Sequence, residues 1–406
     1  MSGKATLLLI VGFSLLFLVV SKNFGDVSNR AVDNFVNYHM ETVAHDIAVS
    51  GANIAANQIF MDPTWDDGYS DLPFQDGNMD ISVQILDPFK NIRQITSTGN
   101  FQGHTSTVQV KLAPSKFSKF AYYSVSEGGT IWWIGSDTVW GPFHTQDYMR
   151  VKSHPVYFGK ATTKRNMIYY TSEAADKPRF FGGYDQGVNL PLPTTAVDDM
   201  ESNATLSFTG HDTVYMTFSQ DTLKYKYAHN ALYTPVYLPT AASNGLIFAK
   251  NCVVRLKGTI KGQYTIGCSS SGTIGKGTIW LDNDIVYNQD PRIYPNSIDM
   301  LGICAENSVV ITQNTANNSD INIHASIYCE KGGFGAQNYS TRPISGNINL
   351  LGGIIQYTRA AVGTFGSDGK IKNGFAKRYK YDERFLVASP PFFPGTGGFE
   401  IVSWYE

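Results

Sequence analysis

Hydrophobic side chains come first as an unbroken run and then as a stripe. Residues 5–20 carry no charge and stand between Lys4 and Lys22. Beyond them Val32, Val36, Met40, Val43, Ile47, Ile54 and Ile59 recur mostly at every third or fourth position, with Ala44, Ala48, Gly51, Ala52, Ala55 and Ala56 interleaved. That spacing predicts a long helix with a narrow apolar stripe edged by small residues, suited to close packing. Asp62-Pro63 ends it, because the residue before a proline is pushed out of the α region.

The period then changes to two. Residues 80–86 alternate through Ile81, Val83 and Ile85, residues 92–97 follow a turn, and residues 106–112 alternate through Val108, Val110 and Leu112. A link at 98–103 carries the glycines of a hairpin. From about Phe117 onward short apolar runs are separated by Gly, Asn and Asp. They fall at 130–134, 149–151, 155–158, 246–249, 253–256, 264–266, 278–281, 284–287, 309–312 and 321–327. Runs so short and so closely spaced predict stacked coils of a right-handed parallel β-solenoid, with Asn314, Asn317, Asn318 and Asn322 at coil corners. A β-sandwich or jelly roll is the alternative. The predicted fold is mainly β. A hydrophobic anchor or signal segment (1–24) leads to an amphipathic stem (25–60), a small antiparallel sheet module (61–116) and the solenoid (117–406). An insertion at about 195–244 holds a hairpin of 204–209 and 213–218.

Composition supports a β-rich protein, and the greasy helix that leads into a stalk and a β domain is the build of a membrane-held, outward-facing one. Only 16% of residues are charged, while 38 Gly, 23 Tyr and 24 Phe serve turns and pleated surfaces. A net charge of −2 lacks the basic stripe a nucleic-acid partner requires. Cys252, Cys268, Cys304 and Cys329 form no CxxC pair, so no zinc or thioredoxin motif is expected. They are read either as one or two disulfides of an exported domain or as four buried thiols. The acidic stretch 61–75 lacks calcium-loop spacing and reads as a solvated connector. No cofactor and no metal are expected.

The run 5–20 is shorter than the roughly 20 residues that span a bilayer and close to a secretory apolar segment, yet no clean cleavage site follows it. Its sequence from Gly3 to Ala56, including Ala48-Val-Ser-Gly-Ala-Asn-Ile-Ala55, resembles the N-termini of the PilX-type and K-type minor pilins. The resemblance implies a stem held in the membrane before assembly and in a filament core afterwards, with Gly3 and Lys4 flanking a prepilin-peptidase site. The stripe itself gives the expected stem packing, through Val32, Val36, Met40, Val43, Ile47, Gly51 and Ile54. The family's glutamate five residues into the mature chain is Leu8 here, as is common in minor pilins that cap a filament tip. Two other readings stay open: a plain uncleaved anchor, and an ordinary signal peptide before a soluble helix. Trp140-Gly-Pro-Phe-His-Thr145, Asp284-Ile-Val-Tyr287, Leu350-Leu-Gly-Gly353 and Pro390-Pro-Phe-Phe-Pro394 look like a family of exported bacterial proteins with pilin-like N-termini. That resemblance implies export and architecture but no activity.

Parallel β-helices host polysaccharide lyases and hydrolases, which need paired carboxylates or a base. Asp282, Asp284, Asp290, Asp299 and Asp320, with His324, are the candidates, and each reads more simply as a turn residue. His144 and His154 flank Trp132, Trp133, Trp140, Tyr148, Tyr157 and Phe158, which could stack on sugars or fill coils. No catalytic residue is assigned. The expectation is a non-enzymatic structural protein, pilin-like or simply anchored, at the cell surface or in an extracellular filament and acting in assembly or adhesion. Its partners would be the membrane, sister stems and surface glycans, with no nucleic acid. A surface-anchored carbohydrate-binding or carbohydrate-cleaving β-helix protein is the alternative.

Overall fold

The computed structural model describes residues 2–87, 91–129, 131–135, 137–366 and 371–406. The chain divides into two compact units, Met1–Pro114 with Gly398–Glu406, and Ser115–Gly397.

In the first unit a single helix, Ser2–Met61, takes in both the apolar run and the amphipathic stretch. At 1.5 Å per residue it is about 90 Å long. Its second half lies on a five-stranded sheet in the order Tyr69–Phe74, Gly77–Asp87, Ile92–Phe101, His104–Lys116, Gly395–Tyr405. The first three pairings are antiparallel. Gln75-Asp76 and Gln102-Gly103 form two-residue turns with every φ positive, the twist that short hairpins favour. Such tight turns let the strands run longer than the alternation alone indicates. The acidic connector supplies an edge strand, Tyr69–Phe74, whose register breaks between Tyr69 and Leu72, where Asp71 has φ 51°. Pro73 is tolerated there because an edge strand can leave a backbone donor unmade.

The second unit is built on parallel pairings, which excludes the antiparallel jelly roll. One ladder stacks Leu206–Phe208, Leu246–Ala249, Gln263–Cys268, Met300–Ala305, Ile321–Cys329 and Ile344–Thr358. It continues through Tyr122–Ser126, Phe143–Thr145, Ala161–Thr163 and Tyr184–Gln186. The order in space is therefore not the order in sequence. The chain enters mid-ladder at Tyr122 and steps outward to Gln186. It then crosses back to the far end and winds inward until Ile344–Thr358 meets Tyr122–Ser126. Leu192, Val197 and Met200 of the returning segment are buried against Phe117, Tyr123, Phe248, Tyr328 and Phe393.

A second ladder stacks Thr213–Gln220, Val253–Ile260, Thr278–Tyr287, Val309–Ile311 and Phe334–Ala336. Side chains from both ladders form the core, including Ile247, Val254, Ile266, Leu281, Ile303 and Ile327.

Several expectations are corrected. Residues 195–244 are only partly an insertion, since Leu206–Phe208 and Thr213–Gln220 are parallel members of the stack. The antiparallel hairpin there joins Thr213–Gln220 to Thr222–Lys226, with Thr234–Tyr237 alongside. The runs 278–281 and 284–287 are one strand, Thr278–Tyr287. The run 130–134 contributes only a bridge from Trp133 to Val151, and Thr130 lies outside the described residues. Residues 398–406, read as solenoid, instead close the small sheet beside His104–Lys116. A strand pairing this remote in sequence leaves no local periodicity to detect.

Candidate functional site

Every large apolar side chain from Leu7 to Val20 is exposed, at 48% or more. An 18-residue window of this helix has a mean hydropathy of 2.3 with none of it buried, so it is long and apolar enough to cross a membrane. Gly3 and Lys4 stand on the helix, both exposed. Of the packing residues expected from the stripe, Ile47 and Gly51 are buried on the small sheet, while Met40, Val43 and Ile54 are half-buried. Val32 and Val36 face outward at 58% and 38% exposure. The buried stripe is Ala44, Ile47, Ala48, Gly51, Ala52, Ala55 and Ile59, set against Met79, Ile95, Val108 and Val110. Sheet contact selects the small residues between the expected ones, because they let the backbones approach.

The candidate acids, Asp290 excepted, tie together segments distant in sequence. Arg255 Nε donates to Asp282 Oδ2 at 3.0 Å, and Thr312 Oγ1 donates to its Oδ1 at 2.7 Å. Asp284 accepts from the Asn322 amide N–H and from Asn322 Nδ2. Asp290 pairs with Arg292. Asp299 accepts from the N–H of Gly262 at 2.7 Å and of Gln289 at 2.9 Å, and Asp320 accepts from the N–H of Asn347 at 2.8 Å. His324 is buried, and burial pushes its pKa down to about 4 against the pull of Asp290. The buried Asn317 donates to the carbonyls of Leu281 and Thr312. Asp284, Asp299, Asp320 and Asn317 thereby satisfy backbone groups.

His144 is buried, stacked on Tyr123 and 2.7 Å from Thr162 Oγ1, with its pKa also lowered by burial to about 4. His154 Nδ1 lies 2.8 Å from the Lys177 carbonyl. Trp133 and Tyr157 belong to the core, whereas Trp140 and Phe158 are exposed at 52% and 45% and stack on one another, with Phe181 next in line. Tyr148 is half-buried with the guanidinium groups of Arg150 and Arg165 both over its ring, and Trp132 meets Tyr170 edge-on.

The cysteines form no disulfide: all four are buried free thiols. Register explains the separation of two of them. Cys304 is opposite Tyr328, while Cys329 is opposite Ala305, so the pair is offset by one residue and points to opposite faces of the ladder. Cys268 Sγ donates to the Cys252 carbonyl at 3.3 Å.

Sequence reasoning missed a buried ion pair. Arg359 Nη1 donates to Glu127 Oε2 at 2.9 Å, with the two side chains 4% and 0% exposed. Trp133 Nε1, Tyr122 Oη and Ser124 Oγ donate to the same carboxylate. The partners lie 232 residues apart, so no spacing rule could have joined them.

No protein-family model and no curated protein matches the chain. Among solved structures it is similar to the competence-associated pilin ComZ from Thermus thermophilus, at 11% identity over 90% of this chain and 97% of that chain, with a TM-score of 0.37. A likeness that loose carries nothing over from the pilin to this chain.

Proposed function

We propose that the protein is a non-enzymatic, exported structural subunit. Its helix is held in a membrane or among sister stems, as in a pilin, and its stacked strands form a β-solenoid displayed outside for assembly or adhesion. The observation that carries this reading is the exposed greasy half of the helix. Leaving a Leu, Ile or Phe in water rather than burying it costs roughly 1.5–3 kcal/mol, so the run from Leu7 to Val20 needs a covering worth tens of kcal/mol. Lipid or other stems provide it. The uncharged stretch of 16 residues is roughly 24 Å long, and Lys4 and Lys22 at its ends are able to reach the headgroups. The non-enzymatic part rests on the candidate carboxylates, each of which is already engaged by backbone or side-chain donors.

Membrane pellets washed with alkaline carbonate should retain the full chain, and Phe13→Asp combined with Leu16→Asp should release it. Recovery of the unaltered chain in the soluble fraction would overturn the proposal. Sequencing the mature N-terminus separates its two forms. A start at Lys4 supports pilin-type processing, and a start at Met1 supports a plain anchor.

A further inference from the structure

The parallel ladder forks within the strand Ile344–Thr358. Its first half pairs with Ile371–Lys380, placing Ile348 opposite Lys377 and Leu350 opposite Tyr379. Its second half pairs with Tyr122–Ser126, placing Ile354 opposite Tyr122. Gly352, at φ 148°, stands at the division. The two strands follow one another along the same partner, both parallel to it, and a cavity of about 190 Å³ lies where one gives way to the other. Tyr122, Trp133, Asp137, Trp140, Gly352 and the run from Lys377 to Tyr381 line it. A second hollow of about 610 Å³ continues from it, sharing Trp140, Lys380 and Tyr381.

The chemistry of this cavity is uneven. Trp133 and Tyr122 are locked from behind by Glu127, whose charge is taken up by Arg359. Among the described residues no hydrogen bond or ion pair reaches the half-buried Lys377 ammonium. Burial, aided by Arg359, lowers its pKa to about 8 against Asp137 and Glu127. An ammonium partly withdrawn from water and not hydrogen-bonded gains from the arrival of an anion. Arg378 and Lys380 also line the cavity, from the strand face opposite to the one that carries Lys377, and Asp137 is the single acid in the lining. Trp140 offers an exposed ring at the mouth.

We infer that this fork binds an acidic sugar, a hexuronate residue of a polysaccharide. The apolar face of the pyranose lies on Trp140, the carboxylate meets Lys377, and a ring hydroxyl donates to Asp137. A cavity of this size displaces roughly six waters, enough for one pyranose ring, and the adjoining hollow, where Arg292, Lys380 and Arg384 stand beside Asp382 and Glu383, takes its neighbours in the polymer. The site lies within the second unit and does not depend on how the stem is held.

The test is titration of the full chain in detergent with tetragalacturonate, with maltotetraose and a single-stranded octathymidylate as controls. Tetragalacturonate should bind, and Lys377→Met and Trp140→Ala should each weaken it by about tenfold, the scale of one charge-assisted hydrogen bond or stacked ring. Trp140→Phe should restore most of the loss. Because the amine must be protonated, affinity should fall as pH rises above about 8, and Lys377→Met should abolish that dependence. Three results would overturn the proposal: no uronate binding, uronate binding indifferent to both substitutions, or binding of the octathymidylate alone. Trp140 is exposed, so a folding failure would not explain a loss in that variant.

Discussion

Gly99 of the sheet presses directly on the backbone of Ala48 in the helix: a β-carbon at position 99 would stand 2.6 Å from the Ala48 amide nitrogen and 2.9 Å from Ile47 Cβ. Gly51 makes the reciprocal approach, where a β-carbon would meet Ser97 Oγ and, at 3.0 Å, Met79 Sδ. The helix therefore lies on the sheet through two missing side chains. Gly99→Val should destabilise the first unit by about 1–3 kcal/mol or more, because backbone cannot move aside as a flexible side chain can. Gly51→Ala should cost less, since the Met79 thioether can yield. Thermal unfolding of the two variants ranks them, and equal losses would contradict the contact.

Acid should loosen the second unit through its buried histidines. His144 and His324 are held neutral down to about 4, against an ordinary value of 6.5. Below 6.5 the unfolded chain takes protons that the folded chain refuses, so stability is full above 6.5 and falls as pH drops toward 4. His324→Gln keeps an acceptor for the Tyr287 N–H. Its melting temperature should fall less than that of the unaltered protein between pH 7 and pH 4.5, and an identical fall would remove His324 from the account.

Glu330 acts with the opposite sign. It is buried, accepts from the Val197 N–H at 2.9 Å, and burial raises its pKa from 4.5 to about 7, with Asp198 adding to the rise and Lys331 opposing it. Between those values the folded chain keeps a proton that the unfolded chain has lost, so this carboxyl lowers stability as pH rises through 7. Glu330→Gln, which keeps the acceptor, should be more stable than the unaltered protein at pH 8, with the gap closing toward pH 4.5. Chemical denaturation at the two pH values checks it.

Removing one partner of the Glu127–Arg359 pair should be severe. Glu127→Gln leaves a buried guanidinium without its counter-charge, at a cost of about 3–5 kcal/mol. Replacing both partners together should cost less than the sum of the single changes. A double-mutant cycle by urea denaturation measures the coupling, and additive losses would mean that the pair is not a unit.

What the sequence makes legible is local. The strands Met149–Val151 and Leu246–Ala249 coincide with the runs read from pattern, because turn residues bracket them on both sides. The apolar helix is equally plain. Nothing in the order of residues discloses that Tyr122–Ser126 stacks on Ile344–Thr358, since every parallel rung presents the same short alternation and any two could pair. The site divides in the same way. Trp133 and Trp140 stand out as aromatics, whereas Lys377 is one charged residue in a strand that also carries Lys372, Arg378 and Lys380. Its importance arises only where the ladder forks.

The large unit leaves the small sheet from His104–Lys116 and returns to it in Gly395–Tyr405, which are neighbours there. Topologically it is a guest spliced into one loop of its host. A pull on the guest would load two adjoining strands at once, so neither would bear the strain by itself. The same doorway would admit a different passenger with closely spaced ends, leaving stem and sheet unaltered.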